Sequence, residues 1–278
     1  MSESARRRRP FLDAPRPLLF AHRGGGAAFP ENTLLAFENA LAHGIRFLET
    51  DVHLTKDGVL VAHHDARVDR TTNGTGKIAD YTYAELSRLD AGYHFTEDGG
   101  RTFPYRGEGV SIPTLLSVFS LSRNARLNVE IKPPGWDVVK RFWELIDGNG
   151  LHDRVLVAAE NDVQVRRFRR ISRETVATSA GRREAIRFVA AAKLRVDRFL
   201  AFPFDALQVP AEVGGIPIVD PRFVRAAHRK GIQVHVWTID EPHEMRRLLN
   251  LGVDGIMSDY PDRLAALGKT MAARGRAE

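Results

Sequence analysis

Short apolar runs alternate along the chain with longer stretches in which apolar residues recur every three or four positions. The runs fall at Leu18–His22, Phe47–His53, Leu127–Lys132, Arg154–Ala159, Thr175–Ser179, Ala206–Val209, Gln233–Ile239 and Gly255–Ser258, and they predict strands. Between them lie helical patterns near residues 33–43, 114–122, 136–148, 161–172, 183–195, 221–230, 241–251 and 261–273. Spacings such as Leu34, Phe37, Leu41 and Met245, Leu248, Leu249 put the apolar side chains of a segment on one face. Asn32 and Asp240 stand where helix N-caps belong, and Gly44, Gly231 and Gly252 where helices should end.

Strands that each lead into a helix predict an α/β fold, a (β/α)8 barrel of the TIM type, whose usual size matches 278 residues. An open, doubly wound sheet alternates in the same way and is the runner-up. One interval breaks the rhythm. Residues 66–113, rich in Gly, Thr, Asp and Tyr, separate the second strand from its helix and read as a small inserted subdomain above the barrel. Residues 17–273 are then a single barrel domain, and residues 1–16 a disordered basic tail.

Composition narrows the chemistry. There is no cysteine, which excludes disulfides and thiolate metal sites. No apolar run approaches the roughly 20 residues of a membrane span. Asp13, Arg16 and two prolines interrupt the N-terminal stretch, so it does not read as a signal peptide, and a cytoplasmic protein is expected. The net charge of +6 is unevenly placed: residues 1–10 carry +3 and residues 160–198 carry +6, leaving the remainder slightly acidic. Solvated helix faces explain such a segment, with at most weak attraction to an anionic membrane surface. No nucleic-acid-binding motif accompanies it, and no nucleic-acid partner is expected.

The polar residues inside the strands are the informative ones. Residues two apart in a strand share a side, so Glu49 and Asp51 face together, as do Glu130 and Lys132. Their apolar neighbours Leu48, Val52, Val129 and Ile131 suit the surrounding helices, which turns the charges toward the barrel axis near the catalytic end of such folds. Three inward carboxylates raise one another's pKa unless a cation or a lysine neutralises them. Oxygen donors without cysteine suit Mg²⁺ or Ca²⁺; a purely structural ion pair with Lys132 is the competing explanation.

His22 ends the first strand and His64 ends the run "VLVAHH". Two histidines at one barrel mouth fit a general acid and a general base. His43, His53, His63, His94, His152, His228 and His243 read as structural, and His235 as facing inward with Trp237. In "HRGGG" a glycine-rich turn lets backbone amides approach a phosphate beside Arg23, although the spacing is not that of a dinucleotide fingerprint. Asn32 and Glu31 of "FPENT" are as well explained by helix capping as by ligand contact.

The stretches "HRGGGAAFPENTLLAF", "ETDVHLTKDGVLVAHHD", "DRTTNGTG", "IPTLLSVF", "LNVEIKP", "VHVWTID" and "GVDGIMSDYP" resemble, in order, the glycerophosphodiester phosphodiesterase family. The resemblance runs from Ala21 to about Pro261, and residues 66–113 correspond to the family's insertion. It implies metal-dependent hydrolysis of a glycerophosphodiester to sn-glycerol 3-phosphate and an alcohol. By motif, His22 and His64 are the acid–base pair, and Glu49, Asp51 and Glu130 hold one divalent cation, Mg²⁺ or Ca²⁺, with Mn²⁺ also suitable. Arg23 and Lys132 contact phosphate oxygens, and Trp237 packs against the substrate. His63 neighbours His64, but the residue before the aspartate in "HHD" aligns with the motif.

Two rival functions remain open. A lysophospholipase D-like enzyme would use the same residues on lipids and display an apolar groove or lid, for which Tyr81, Tyr83, Tyr93, Phe95, Phe103 and Tyr105 are available. A non-catalytic protein that binds phosphate or a membrane surface would need no acid–base pair.

Overall fold

The computed structural model describes residues 9–274 of the chain. Its strands are β1 (Leu18–Ala21), β2 (Phe47–Leu54), β3 (Leu60–Ala62), β4 (Arg126–Ile131), β5 (Val155–Ala158), β6 (Ala177–Thr178), β7 (Ala206–Pro210), β8 (Glu212–Val213), β9 (Ile216–Pro217), β10 (Gln233–Trp237) and β11 (Gly255–Ser258). Its helices are α1 (Leu34–Ala42), α2 (Tyr83–Leu86), α3 (Leu115–Ser120), α4 (Asp137–Gly148), α5 (Asp162–Ile171), α6 (Arg182–Leu194), α7 (Pro221–Arg229), α8 (Pro242–Asn250) and α9 (Pro261–Arg274).

Eight parallel strands run in the order β6-β5-β4-β2-β1-β11-β10-β7, and a parallel bridge between Ser179 and Ala206 joins the two outer strands. The sheet therefore comes round as a nearly closed barrel, and the open doubly wound alternative does not hold. β3 pairs antiparallel with β2, and β8 with β9 forms a separate hairpin.

The two sides of each strand explain the barrel. Leu48, Val52, Leu127, Val129 and Ile131 meet the helices in the outer core, where α4 contributes Val138, Val139, Phe142 and Ile146 at helical spacing. The other side fills the barrel's lower interior with Leu18, Phe20, Phe47, Leu156, Ala177, Ala206 and Met257. Above Phe47 the same side of β2 becomes polar, beginning at Glu49.

Three local expectations are corrected. Thr33, not Asn32, caps α1, its hydroxyl accepting the Ala36 amide at 3.3 Å. Glu241, not Asp240, occupies the N-cap position of α8. Residues 9–16 are not a disordered tail. Pro10–Leu12 form a short 3-10 turn whose Phe11 is buried in the lower interior, its ring 5.6 Å from that of Phe47. Burying one phenylalanine contributes on the order of 2 kcal/mol. Polar contacts fasten this segment: Arg9 pairs with Asp205 at 2.9 Å, Arg16 pairs with Asp254, and the Gln233 side chain donates to the Leu12 carbonyl at 3.0 Å. The rest of the expected tail, residues 1–8, lies outside the described residues.

Gly44, Gly231 and Gly252 each follow a helix end by two residues, as expected. Within 66–113 a 3-10 turn at Ile78–Asp80 and α2 share an apolar cluster of Val68, Ile78, Leu86, Ala91 and Ile112 with Val61 of β3. Among the described residues, no helix is long and apolar enough to cross a membrane.

Candidate active site

Parallel pairing of β2 with β4 puts Glu49 beside Asn128 and Asp51 beside Glu130. Alternation turns all four into the barrel, above the layer that holds Phe47 and Leu156. One carboxylate oxygen from each of Glu49, Asp51 and Glu130 lies within 4.8 Å of the other two. Lys132, just beyond β4, sets its ammonium 3.0 Å from Asp51 Oδ1 and 3.0 Å from Glu130 Oε2.

The first loop closes over this cluster. After β1 the chain turns through His22–Gly24 with Arg23 in a left-handed conformation (φ 51°), and the Arg23 amide donates to Glu49 Oε2 at 3.0 Å. Gly25 permits the turn. Its φ is 103°, and a Cβ there would stand 2.4 Å from Cγ of Pro261, the first residue of α9. The Arg23 guanidinium donates to Glu31 at 3.2 Å, and its Nε is 3.8 Å from Asp51 Oδ2. Asn32 donates to Asp51 Oδ2 at 3.1 Å and accepts the Thr50 hydroxyl at 2.7 Å. It thereby fixes the rotamer of a carboxylate in the cluster, and its φ of 57° is one that asparagine tolerates.

Each expected acid–base histidine has a carboxylate on Nδ1. His22 Nδ1 lies 2.7 Å from Asp259 Oδ1, at the end of β11, while its Nε2 is 3.8 Å from Glu49 Oε2. His64 Nδ1 lies 2.6 Å from Asp65 Oδ1. A carboxylate can only accept, so both Nδ1 atoms carry the proton and both Nε2 atoms are left for exchange. Asp65 in turn accepts from Arg70 Nε at 2.6 Å, and Arg70 grips Glu31 with two further bonds of 2.8 and 2.6 Å. His64 is thus linked through Asp65, Arg70 and Glu31 to Arg23. Trp237 stands at the C-terminal end of β10, 42% exposed at the rim.

The electrostatics follow from this packing. Burial, and then the neighbouring charge of Asp51, push Glu49 up to about 7. Burial works against a charged His22, but the Asp259 hydrogen bond and the Glu49 charge outweigh it and raise His22 to about 8. Burial likewise opposes the Lys132 charge, yet Asp51 and Glu130 hold its pKa above the usual lysine value. By contrast, burial lowers His53 to about 4 and His235 to about 3, and it also lowers His63. His63 is committed to the Asp65 carbonyl and the Thr71 hydroxyl, and His235 to Gln233.

A divalent cation fits this donor set. Three carboxylates converge with only one ammonium among them, and Glu49 is driven toward its protonated form without more positive charge. Among the described residues, the two buried side-chain atoms with no hydrogen-bond partner, Arg23 Nε and Asn128 Oδ1, both border the cluster. Polar atoms left unpaired in a buried site suit a polar occupant.

The structure brings Glu49, Asp51, Glu130, Arg23, Lys132 and His22 together and ties His64 to them through a charged chain. Asp259 and Asp65 were not singled out from sequence, although Asp65 directly follows His64 and Asp259 directly follows the last apolar run. Asp259 is itself held: Asp240 Oδ1 accepts its amide at 2.9 Å and the Ser258 hydroxyl at 2.8 Å. Arg70 lies in the stretch "DRTTNGTG", but nothing in that stretch points to its pairing with Glu31 and Asp65.

Residues 22–263 match the model of the Glycerophosphoryl diester phosphodiesterase family. A glycerophosphodiester phosphodiesterase of Caldanaerobacter subterraneus subsp. tengcongensis is 33% identical, covering 90% of this chain and 97% of that one. A lysophospholipase D of Rattus norvegicus is 26% identical, covering 91% of this chain and 86% of that one. The structure of an Oleispira antarctica phosphodiesterase in complex with the product sn-glycerol-3-phosphate superposes with a TM-score of 0.73, at 26% identity, over 91% of this chain and 97% of that one.

Proposed function

Since the chain belongs to the glycerophosphoryl diester phosphodiesterase family, we propose that it hydrolyses glycerophosphodiesters to sn-glycerol 3-phosphate and an alcohol at the mouth of this barrel. The observation that carries the reading is the convergence of Glu49, Asp51 and Glu130 within 4.8 Å, flanked by Arg23, Lys132 and His22.

Glu49, Asp51 and Glu130 hold one divalent cation, Mg²⁺, Ca²⁺ or Mn²⁺. Bound there, it supplies positive charge to the phosphoryl oxygens, whose negative charge otherwise repels a nucleophile. Arg23 and Lys132 add to that charge and orient the phosphate. One of His22 and His64 accepts the proton of the attacking hydroxyl at Nε2. The other gives a proton to the departing alkoxide, which leaves slowly without it. Asp259 and Asp65 keep the two rings in the tautomer these roles require. Trp237 packs against the glycerol or alcohol portion.

Residues 66–113 wall the site on the side of the leaving alcohol, since Arg70 ties this segment to Glu31 beside Arg23. Their aromatic rings pack on one another and on neighbouring side chains: Tyr105 lies against Phe29 and Phe95, and the Arg106 guanidinium stacks over Tyr93 and Phe103. Rings spent in this way do not offer a continuous apolar track, which favours small headgroups such as choline, ethanolamine or glycerol. One observation supports a second reading. Val213 and Ile216 of the β8–β9 hairpin are exposed, and Trp237 pairs with Pro210 just before that hairpin, so an acyl chain has apolar contacts available as a lysophospholipase D would need.

Release of glycerol 3-phosphate from glycerophosphocholine by the purified protein, after chelation and after return of each cation, tests the reading. Release that requires the cation supports it, and an unchanged rate in excess chelator rejects the metal's role.

A further inference from the structure

We propose that the outward face of α6 and the turn that follows it form a docking surface for an anionic lipid bilayer. Ile186, Ala190 and Leu194 recur every four residues and form a stripe along α6, with Phe188, Ala191 and Ala192 buried on the opposite face. Ile186 is 60% exposed, Leu194 72% and Phe199, in the turn beyond, 76%. Three large apolar side chains presented so fully to water are unusual within one short segment.

Charge identifies the partner. Arg183, Arg187, Lys193, Arg195 and Arg198 are exposed around this stripe, and no ion pair engages them among the described residues. The two acidic residues of the segment point elsewhere: Glu184 pairs with the buried Arg169 at 2.7 Å, and Asp197 with Arg229 at 2.8 Å. The Arg198 guanidinium lies 5.0 Å from the Phe199 ring, so cation and aromatic ring stand side by side. Apolar side chains set among unopposed cations match the boundary between acyl chains and anionic headgroups. A nucleic acid would use the arginines but leave Ile186 and Leu194 in water. A second copy docked face to face would oppose like charges.

Position decides what such docking does. The turn joins the C-terminal end of α6 to the strand β7 at the foot of the barrel, away from the carboxylate cluster. Arg9 is anchored at the same foot through Asp205. The surface tethers the protein without feeding lipid to the site, and the inference therefore does not depend on the substrate chosen above.

Flotation of the full chain with vesicles of phosphatidylcholine, with and without phosphatidylglycerol, provides the test. All samples carry R6A, R7A and R8A so that only the α6 surface is read. Binding is expected for the anionic vesicles alone. Leu194→Ser with Phe199→Ser, and separately Arg195→Glu with Arg198→Glu, should each lower it by about tenfold or more. Thermal melting and hydrolysis of a soluble substrate should stay as in the parent. Three outcomes overturn the proposal: no vesicle binding, binding that both variants retain, or a dimer or a DNA complex that the same substitutions abolish while vesicles are ignored.

Discussion

Asp259 Oδ1 holds His22 Nδ1 at 2.7 Å, joining the end of the last strand to the loop after the first. In the cation-free protein this contact should set the titration of His22 near 8. With Asp259→Asn, burial and Arg23 act unopposed by that bond, and the titration followed by NMR should fall. A histidine raised from 6.5 to about 8 adds stability fully present below 6.5 and lost as pH rises through 8. Asp259→Asn should therefore melt earlier than the parent in acid, by on the order of 1 kcal/mol, with the gap closing above pH 8. A pH-independent gap would point to a merely structural bond.

Glu49 predicts the opposite trend. A carboxyl raised from 4.5 to about 7 costs the folded state stability as pH climbs through that window. Glu49→Gln should make the cation-free protein more stable at alkaline pH, by on the order of 1 kcal/mol or more, while weakening cation affinity. Loss of stability in the chelated variant at alkaline pH would contradict the strain assigned to this cluster.

Chelator should abolish turnover, and Mg²⁺, Ca²⁺ or Mn²⁺ should restore it. Asp51→Asn and Glu130→Gln should lower cation affinity in calorimetry while circular dichroism stays unchanged. Unaltered affinity in both would remove them from the ligand set.

His22→Ala and His64→Ala should each reduce kcat by about a hundredfold or more. With a nitrophenol leaving group, which departs without protonation, only the variant lacking the acid should recover. Recovery of neither leaves the paired roles without support.

Glycerophosphocholine should give a higher kcat/KM than a long-chain lysophosphatidylcholine, because the aromatic residues of 66–113 pack on one another and their neighbours. A clear advantage for the lipid would favour the rim formed by Val213, Ile216 and Trp237 as an acyl contact.

Much of this was legible because a strand repeats every two residues. Glu49, Asp51 and Glu130 stood out as charges on the side opposite Leu48, Val52, Val129 and Ile131, and the eight-fold alternation carried the barrel. What was not legible depends on residues distant in sequence. Asn32 sits where a cap is common, but Thr33 beside it caps equally well, and tertiary bonds to Thr50 and Asp51 decided between them. Asp240 was drawn away from capping by Ser258 and Asp259. Arg70 finds Glu31 from a different loop, which no local pattern announces. Phe11 stood in a stretch too broken to show a period, and its burial depends on Phe47 and on contacts made by Asp205 and Gln233.

Phe11 is synthesised long before the residues that fasten its segment. A ribosome delivers Phe11 before any strand exists to receive it, and its anchors at Asp205 and Gln233 emerge only when most of the chain has been made. The earliest part of the barrel to be synthesised is thus among the last that can be seated. Until β7 and β10 have been added, the segment around Phe11 lacks the fastening that Asp205 and Gln233 supply.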